Sequence, residues 1–108
     1  MNTVKIELYC GGSQYTLAHR RLADTLTQQF GGVTVMGGVG FWVDPDCPEN
    51  SSTKDRCVVY SVITNAPAGA AIGEAVAQFL RETGEKEVLM FASDGAAVPL
   101  TLNKEKAE

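Results

Sequence analysis

The stretch from Phe30 to Asp44, Phe-Gly-Gly-Val-Thr-Val-Met-Gly-Gly-Val-Gly-Phe-Trp-Val-Asp, alternates like a β-strand, yet Gly37, Gly38 and Gly40 leave its interior without side chains. Packed side chains hold a strand in place, so interior glycine marks a bend, a bulge or a close approach by another backbone or a ligand. Two readings follow from the residues alone: a bent or tightly stacked strand, and a strand approached by a ligand. The run also holds the only tryptophan, Trp42, an aromatic that suits an interface or core as well as a base-stacking platform.

Around this strand the periodicity predicts the rest of the chain. Val4, Ile6 and Leu8 alternate with Lys5, Glu7 and Tyr9, a half-buried strand ending at Cys10. Gly11-Gly12-Ser13 breaks it and offers Ser13 or Thr16 as a helix N-cap. Ala18, Leu22, Ala23 and Leu26 then recur at helical spacing over 15–29, with His19, Arg20 and Arg21 on a solvated face, and Gly31-Gly32 stops the helix. The glycine-bearing strand is expected over 33–43, with Val33, Val35, Val39, Phe41 and Val43 on its apolar face. A polar loop over 44–56 follows, and a loop of that length in a compact domain tends to be functional or disordered. The third strand, 57–64, is apolar on both faces.

Asn65-Ala66-Pro67 introduces a second helix, because proline is tolerated in a first turn. Ile72, Val76, Phe79 and Leu80 form its stripe and Thr83-Gly84 closes it, before a fourth strand over 87–92 and a final extended piece over 96–102. The order β-α-β-β-α-β with a short appended strand predicts an α+β, ferredoxin-like fold, one domain over 1–102 with a charged tail over 103–108. Two helices cover one sheet face. The doubly apolar third strand leaves the other face apolar and uncovered, which on a small domain means a partner surface. A homo-oligomer built through the sheets is expected, and dimer and trimer are both open on this argument.

Composition removes several function classes. A net charge of −4 provides no basic surface for a phosphate backbone, so nucleic acid is not an expected partner. No segment approaches the ~20 apolar residues that span a bilayer, and Met1 to Ile6 lacks the pattern of a secretory signal, so a cytoplasmic protein without membrane insertion is expected. Three cysteines argue against a complete disulfide framework; reduced thiols and a reversible Cys47–Cys57 bond across the polar loop both fit. With one histidine and no paired cysteine spacing, a metal site is not expected. No nucleophile and orienting acid accompany His19, and Asp44, Asp46, Glu49 and Asp55 fall in a solvated loop, so the chain does not read as an enzyme. Gly11-Gly12-Ser13, opening a helix, is a weak anion-site candidate.

The topology, the Gly32-Val33-Thr34-Val35 start of the second strand, the Gly40-Phe41 pair and the long loop after it resemble the P-II signal-transduction proteins and their P-II-like relatives. That resemblance implies a homotrimer that binds adenine nucleotides in clefts between subunits. It also implies signalling to a protein target, such as a transporter or enzyme, through the family's T-loop, here 44–56. Matched position by position, Gly40 and Phe41 take the family's strand-two glycine and the aromatic after it; Gly37, Gly38 and Trp42, the last standing where the family often has a small residue, are expected to line the ligand cleft with them. Thr83 and Gly84 would open the loop after the second helix, with Lys86 near the phosphates. Asp44, Asp46, Cys47, Glu49, Lys54 and Arg56 would meet the partner. Where the family carries Gly-Asp-Gly-Lys, this chain has Glu85-Lys86-Glu87, and Ala97, Val98, Pro99 and Leu100 stand where basic residues are expected. Each lost charge-assisted contact removes on the order of 1.5–3 kcal/mol, which favours ADP or AMP over ATP. Relatives in inorganic-carbon uptake add bicarbonate as a ligand, with no covalent cofactor. The alternative is an oligomeric interaction protein of the same fold that binds no nucleotide.

Overall fold

A computed structural model describes residues 3–42, 53–65, 68–93 and 97–101, without the side chains of 42, 53, 54, 97 and 98. Asp44, Asp46, Cys47 and Glu49 of the expected effector loop lie outside the described residues, as do Pro67, Ala96 and the 103–108 tail. The elements run β1 (Val4–Cys10), α1 (Thr16–Phe30), β2 (Thr34–Trp42), β3 (Thr53–Thr64), α2 (Gly69–Thr83), β4 (Glu87–Ala92) and β5 (Ala97–Thr101). They form an antiparallel sheet of order β2-β3-β1-β4-β5. This is the expected α+β, ferredoxin-like arrangement with its appended strand.

The pleat of β1 sorts the two faces. Ile6, Leu8 and Cys10 turn inward and are buried, while Lys5, Glu7 and Tyr9 turn to the opposite side. Register carries the same sorting across the sheet: Leu8 sits opposite Tyr60 on β3 and Met90 on β4, and Ile6 opposite Val62 and Ala92. Helix α1 lays Ala18, Leu22 and Leu26 onto this inner face, and α2 adds Ile72, Val76, Phe79 and Leu80. The two helices are bridged at the surface by Arg21 and Glu82, 2.6 Å apart. That pairing, with a further hydrogen bond from Gln78, holds the Glu82 carboxyl below its ordinary range.

Both helices end as the glycines predict. Gly31 and Gly84 take left-handed conformations (φ 86° and 77°) and donate to the carbonyls of Thr27 and Leu80. The helix starts differ from expectation. Tyr15, not Ser13 or Thr16, is the N-cap of α1, and no side chain caps it. A Gly12-to-Tyr15 backbone turn occupies that position, with Tyr15 N–H donating to the Gly12 carbonyl at 2.9 Å. Helix α2 begins at Gly69, with Ala68 accepting from Ile72 N–H.

The largest departure concerns β3. It starts at Thr53, so Lys54, Asp55 and Arg56 belong to a strand rather than to the polar loop. Their polar pattern hid this because β1 pairs with β3 only from Val58 to Thr64, whereas β2 pairs with it from Ser61 out to Thr53. Beyond Val58 the described strands form a two-stranded ribbon projecting past the core, where no apolar face is required. For the same reason Val39 and Phe41, expected to face a core, are exposed at 50% and 65%, and Val35, opposite Tyr60 on the β2 edge, is exposed at 48%. They share the inner face with Tyr60, but α1 packs over β3 rather than over the β2 edge.

On the outer face, Met36, Ile63, Leu89 and Phe91 are exposed between 41% and 63%. The apolar, uncovered sheet face expected from the third strand is therefore present. No described helix is long and apolar enough to cross a membrane. Replacing Leu26 by alanine, at 0% exposure, should cost roughly 2–5 kcal/mol in urea unfolding, whereas Val39→Ser on the ribbon should stay within about 0.5 kcal/mol for the monomer. Equal losses at the two sites would contradict this division between core and ribbon.

Candidate functional site

The glycines of β2 sit where the ribbon leaves the sheet: Gly37 opposite Val58, Gly38 opposite Cys57 and Gly40 opposite Asp55. None has a positive φ. A β-carbon at Gly37 would meet nothing within 4 Å, and one at Gly38 would touch only the Cys57 sulfur at 3.4 Å. Ordinary strand backbone with open space around it does not require glycine. Nothing inside the described chain requires the side chains to be missing at 37 and 38. Phe41 is exposed beside them, and the Trp42 backbone pairs with Thr53, its side chain lying outside the described atoms.

Gly12 behaves in the opposite way. Its φ is +68°, and a β-carbon would come within 2.9 Å of the Tyr15 ring and 3.2 Å of Glu85. This turn is tied down by His19. Expected on a solvated helix face, His19 is instead 9% exposed. Its Nε2–H donates to the carbonyls of Gly11 (3.1 Å) and Gly12 (3.0 Å), and Nδ1 lies 2.5 Å from the Tyr60 hydroxyl. That hydroxyl also lies 3.1 Å from the His19 carbonyl. The imidazole stacks parallel to Tyr60 and meets Phe79 edge-on at 4.9 Å. Helical spacing placed it one position from Ala18 at the margin of the apolar stripe, and the turn carbonyls draw it inward.

The loop after α2 arrives at the same end of the sheet. The Thr83 hydroxyl donates to the Phe79 carbonyl at 2.9 Å and accepts from Glu85 N–H at 3.1 Å, so it caps the helix, as Gly84 does. Lys86 is exposed. Glu85 folds over the β1–α1 turn: a β-carbon on Gly11 would lie 2.8 Å from its Oε1 and 3.9 Å from Asp55 Oδ2. Sequence spacing had set neither carboxylate at this turn. The end of the sheet that gathers the β2 glycines, Gly11-Gly12 and the α2–β4 loop thus carries Glu85 and Asp55 along with Lys86 and Arg56. The Gly11-Gly12 turn faces a carboxylate, which makes it a poor anion cradle.

Two concavities lie elsewhere, on the helix side. One of about 320 Å³ runs between α1 and α2 over Leu22, Ala75 and Phe79, and one of about 370 Å³ adjoins it at Tyr15 and Leu17. Neither includes a β2 glycine. The described residues contain no cluster of metal-ligating side chains.

Cys10 and Cys57 flank this site as free thiols. Burial, reinforced by the nearby Cys57 and Glu85, pushes the Cys10 thiol up to about 12 from an ordinary 9.0. Burial likewise raises the Tyr60 hydroxyl. A raised folded value means that stability is fully present below the unfolded value and is lost as pH climbs toward the folded one. Urea stability should therefore fall between pH 9.0 and about 12, and Cys10→Ala should flatten part of that limb. At neutral pH, Tyr60→Phe should cost roughly 1–3 kcal/mol by leaving His19 Nδ1 unpaired. A Cys10→Ala profile identical to that of the parent would show that the thiol does not titrate with folding.

No protein-family model matches the chain, and no curated protein matches it in sequence. Solved structures do match in shape. A phage SAM lyase in complex with S-methyl-5'-thioadenosine superposes with a TM-score of 0.68 at 7% identity, covering 92% of this chain and 89% of that one. A DUF3240 family protein from Shewanella baltica gives 0.59 at 15% identity, covering 85% and 89%. The ATP complex of Bacillus subtilis GlnK, a P-II protein, gives 0.54 at 12% identity, covering 90% and 94%. At these identities the likeness is one of fold: the chain has an α+β, ferredoxin-like fold, which the P-II protein GlnK also adopts.

Proposed function

We propose that this protein is a non-catalytic, oligomeric sensor of an adenine nucleotide, with ADP or AMP favoured, bound where the glycine-bearing ribbon of β2 meets a neighbouring subunit. The observation that carries the reading is the unexplained absence of side chains at Gly37 and Gly38. With no positive φ and room for a β-carbon, the isolated chain does not require glycine at these positions, which supports a ligand or second copy approaching this backbone. The uncovered apolar face supplies the reason to oligomerise. Two proteins of this fold were solved with adenosine-bearing molecules, ATP in one and S-methyl-5'-thioadenosine in the other, which supports adenosine as the ligand class. A trimer is the assembly the P-II resemblance favours.

The reading as a sensor rather than an enzyme is supported by His19, whose ring nitrogens are both committed to hydrogen bonds inside the fold. The segment between Trp42 and Thr53 is proposed as the surface that meets a protein target. Lys54 and Arg56, proposed as partner contacts with it, belong to β3 rather than to a loop. Glu85 and Asp55 favour a ligand with few phosphates, and they equally favour the second reading, an interaction protein that binds no nucleotide.

Calorimetry with AMP, ADP, ATP and bicarbonate, on protein whose mass is fixed by light scattering, separates the two readings. Heat with ADP or AMP is expected from the oligomer; silence at millimolar ligand would sink the nucleotide. Gly37→Val should leave folding stability unreduced, since the position accepts a side chain, while weakening binding by at least about tenfold, or 1.4 kcal/mol. Unchanged binding in that variant would place the ligand elsewhere. Deleting residues 48–52 should leave the oligomer intact and abolish capture of the target, and retained capture would remove the loop from the interface.

A further inference from the structure

The two edges of the sheet are finished differently. Strand β5, at one edge, is 5 residues long and carries Pro99, which has no N–H to offer a further strand. Strand β2, at the other edge, is 9 residues long and has neither proline nor a charged residue between Thr34 and Trp42. Every residue from Thr34 to Val39 is exposed, and Val35, Met36, Val39 and Phe41 leave large apolar surface in water. Among the described residues β2 pairs with β3 alone, so every second residue of β2 turns its N–H and C=O outward. Folded proteins close such an edge with proline, charge or shortness, and β2 uses none of these.

We propose that the β2 edge binds an extended segment of a protein partner as an added strand, with aromatic side chains at alternate positions opposite Gly38 and Gly40. A row of outward backbone donors and acceptors is satisfied in kind only by another extended backbone. The glycines state which side chains that backbone brings. By alternation Gly38 and Gly40 lie on one face and Gly37 on the other. A β-carbon at Gly37 would meet nothing within 4 Å, and one at Gly38 would touch only the Cys57 sulfur at 3.4 Å, so a ring arriving from a neighbouring strand has room to lie across this backbone. Aromatic side chains packed over edge glycines supply the burial that glycine lacks, and over Gly38 the ring also meets the polarizable Cys57 sulfur. A second copy of this chain is the poorer occupant. Antiparallel β2 strands centred on Gly38 would set Met36 against Gly40, Gly37 against Val39 and Gly38 against itself, so every pair across the middle of the new ladder lacks a side chain. Cross-strand side-chain pairs are what stabilise a ladder, and a foreign strand leaves gaps on the β2 side alone, which its own rings fill.

The probe is a phage-displayed library of random peptides, selected on the parent protein and counter-selected on Met36→Lys/Val39→Lys. Those residues are 51% and 50% exposed on opposite faces, so the variant charges the edge without touching the core. Enriched peptides should share aromatic residues at alternate positions. A synthetic peptide of that consensus should protect alternate β2 amides from hydrogen exchange. N-methylation at every second position of the peptide should weaken binding at least about tenfold in one phase and far less in the other, the mark of a one-sided ladder. The inference is overturned by enrichment that is absent, lacks the aromatic alternation or is equal on both proteins. Binding that leaves the β2 amides exchanging, or that ignores the phase of N-methylation, overturns it as well. Alternate β2 amides already protected without peptide, with protection lost on dilution, would assign the edge to a second copy and also overturn it. Circular dichroism checks that the lysine variant folds; should it not, selection on the parent followed by the exchange measurement decides the same question. Calorimetric silence with AMP and ADP would leave this edge untouched, so its failure and that of the nucleotide reading are distinguishable.

Discussion

Two fifteen-residue helices can cover one face of this five-stranded sheet and not the other, and most of what distinguishes the molecule follows from that shortfall. The covered face concentrates Leu8, Tyr60, Phe79 and Leu26 into a core of ordinary composition. The uncovered face leaves Met36, Ile63, Leu89 and Phe91 to water. Hydrophobic burial is the dominant favourable term in association as in folding, so an incompletely covered sheet carries a standing drive to find a second surface. The same shortfall leaves the β2 edge and the ribbon beyond Val58 outside the helical cover, the position from which a backbone can meet a ligand or a neighbour.

His19 links the core to that end of the sheet. One imidazole joins the carbonyls of the Gly11-Gly12 turn to the hydroxyl of Tyr60 on β3, packed between the Tyr60 and Phe79 rings. Its polar atoms are satisfied, so a residue type usually associated with chemistry serves here to set the angle at which β1 passes into α1. Glu85 and Tyr15 close over the same turn, where the left-handed Gly12 is required by the chain itself, as Gly84 is at the end of α2. Gly37 and Gly38 contrast with it: neither has a positive φ, and a β-carbon at Gly37 would meet nothing within 4 Å.

Much of the fold was legible in the residues. The strand Glu87–Ala92 and the stops at Gly31 and Gly84 appear as expected, because alternation and left-handed caps are local properties. The start of β3 was not legible. Thr53 to Arg56 lack any apolar alternation, and only their pairing with Trp42 to Val39 makes them a strand. The N-cap of α1 failed for a related reason, since a backbone turn competed with the side-chain oxygens of Ser13 and Thr16. Of the candidate site, the glycines were visible in the sequence, whereas the arrival of Glu85 and Asp55 at the Gly11-Gly12 turn was not. Those residues are separated by more than forty positions from the turn and meet it only through the crossing of β3 and the α2–β4 loop.

The sequence by itself determined the order of elements, the doubly apolar third strand and the absence of side chains on β2, because each is written in periodicity or in the lack of a β-carbon. Only the tertiary structure decided what those features mean. Register placed Glu7 beside Ser61 and under Tyr9 at the centre of an apolar face, and buried His19 against carbonyls seven and eight positions upstream. It also showed that the space beside Gly37 is empty. Periodicity reports which face of its own element a residue occupies. Which neighbour that face meets is set by packing between elements far apart in the chain, and it was that packing that buried His19 and left open space beside Gly37.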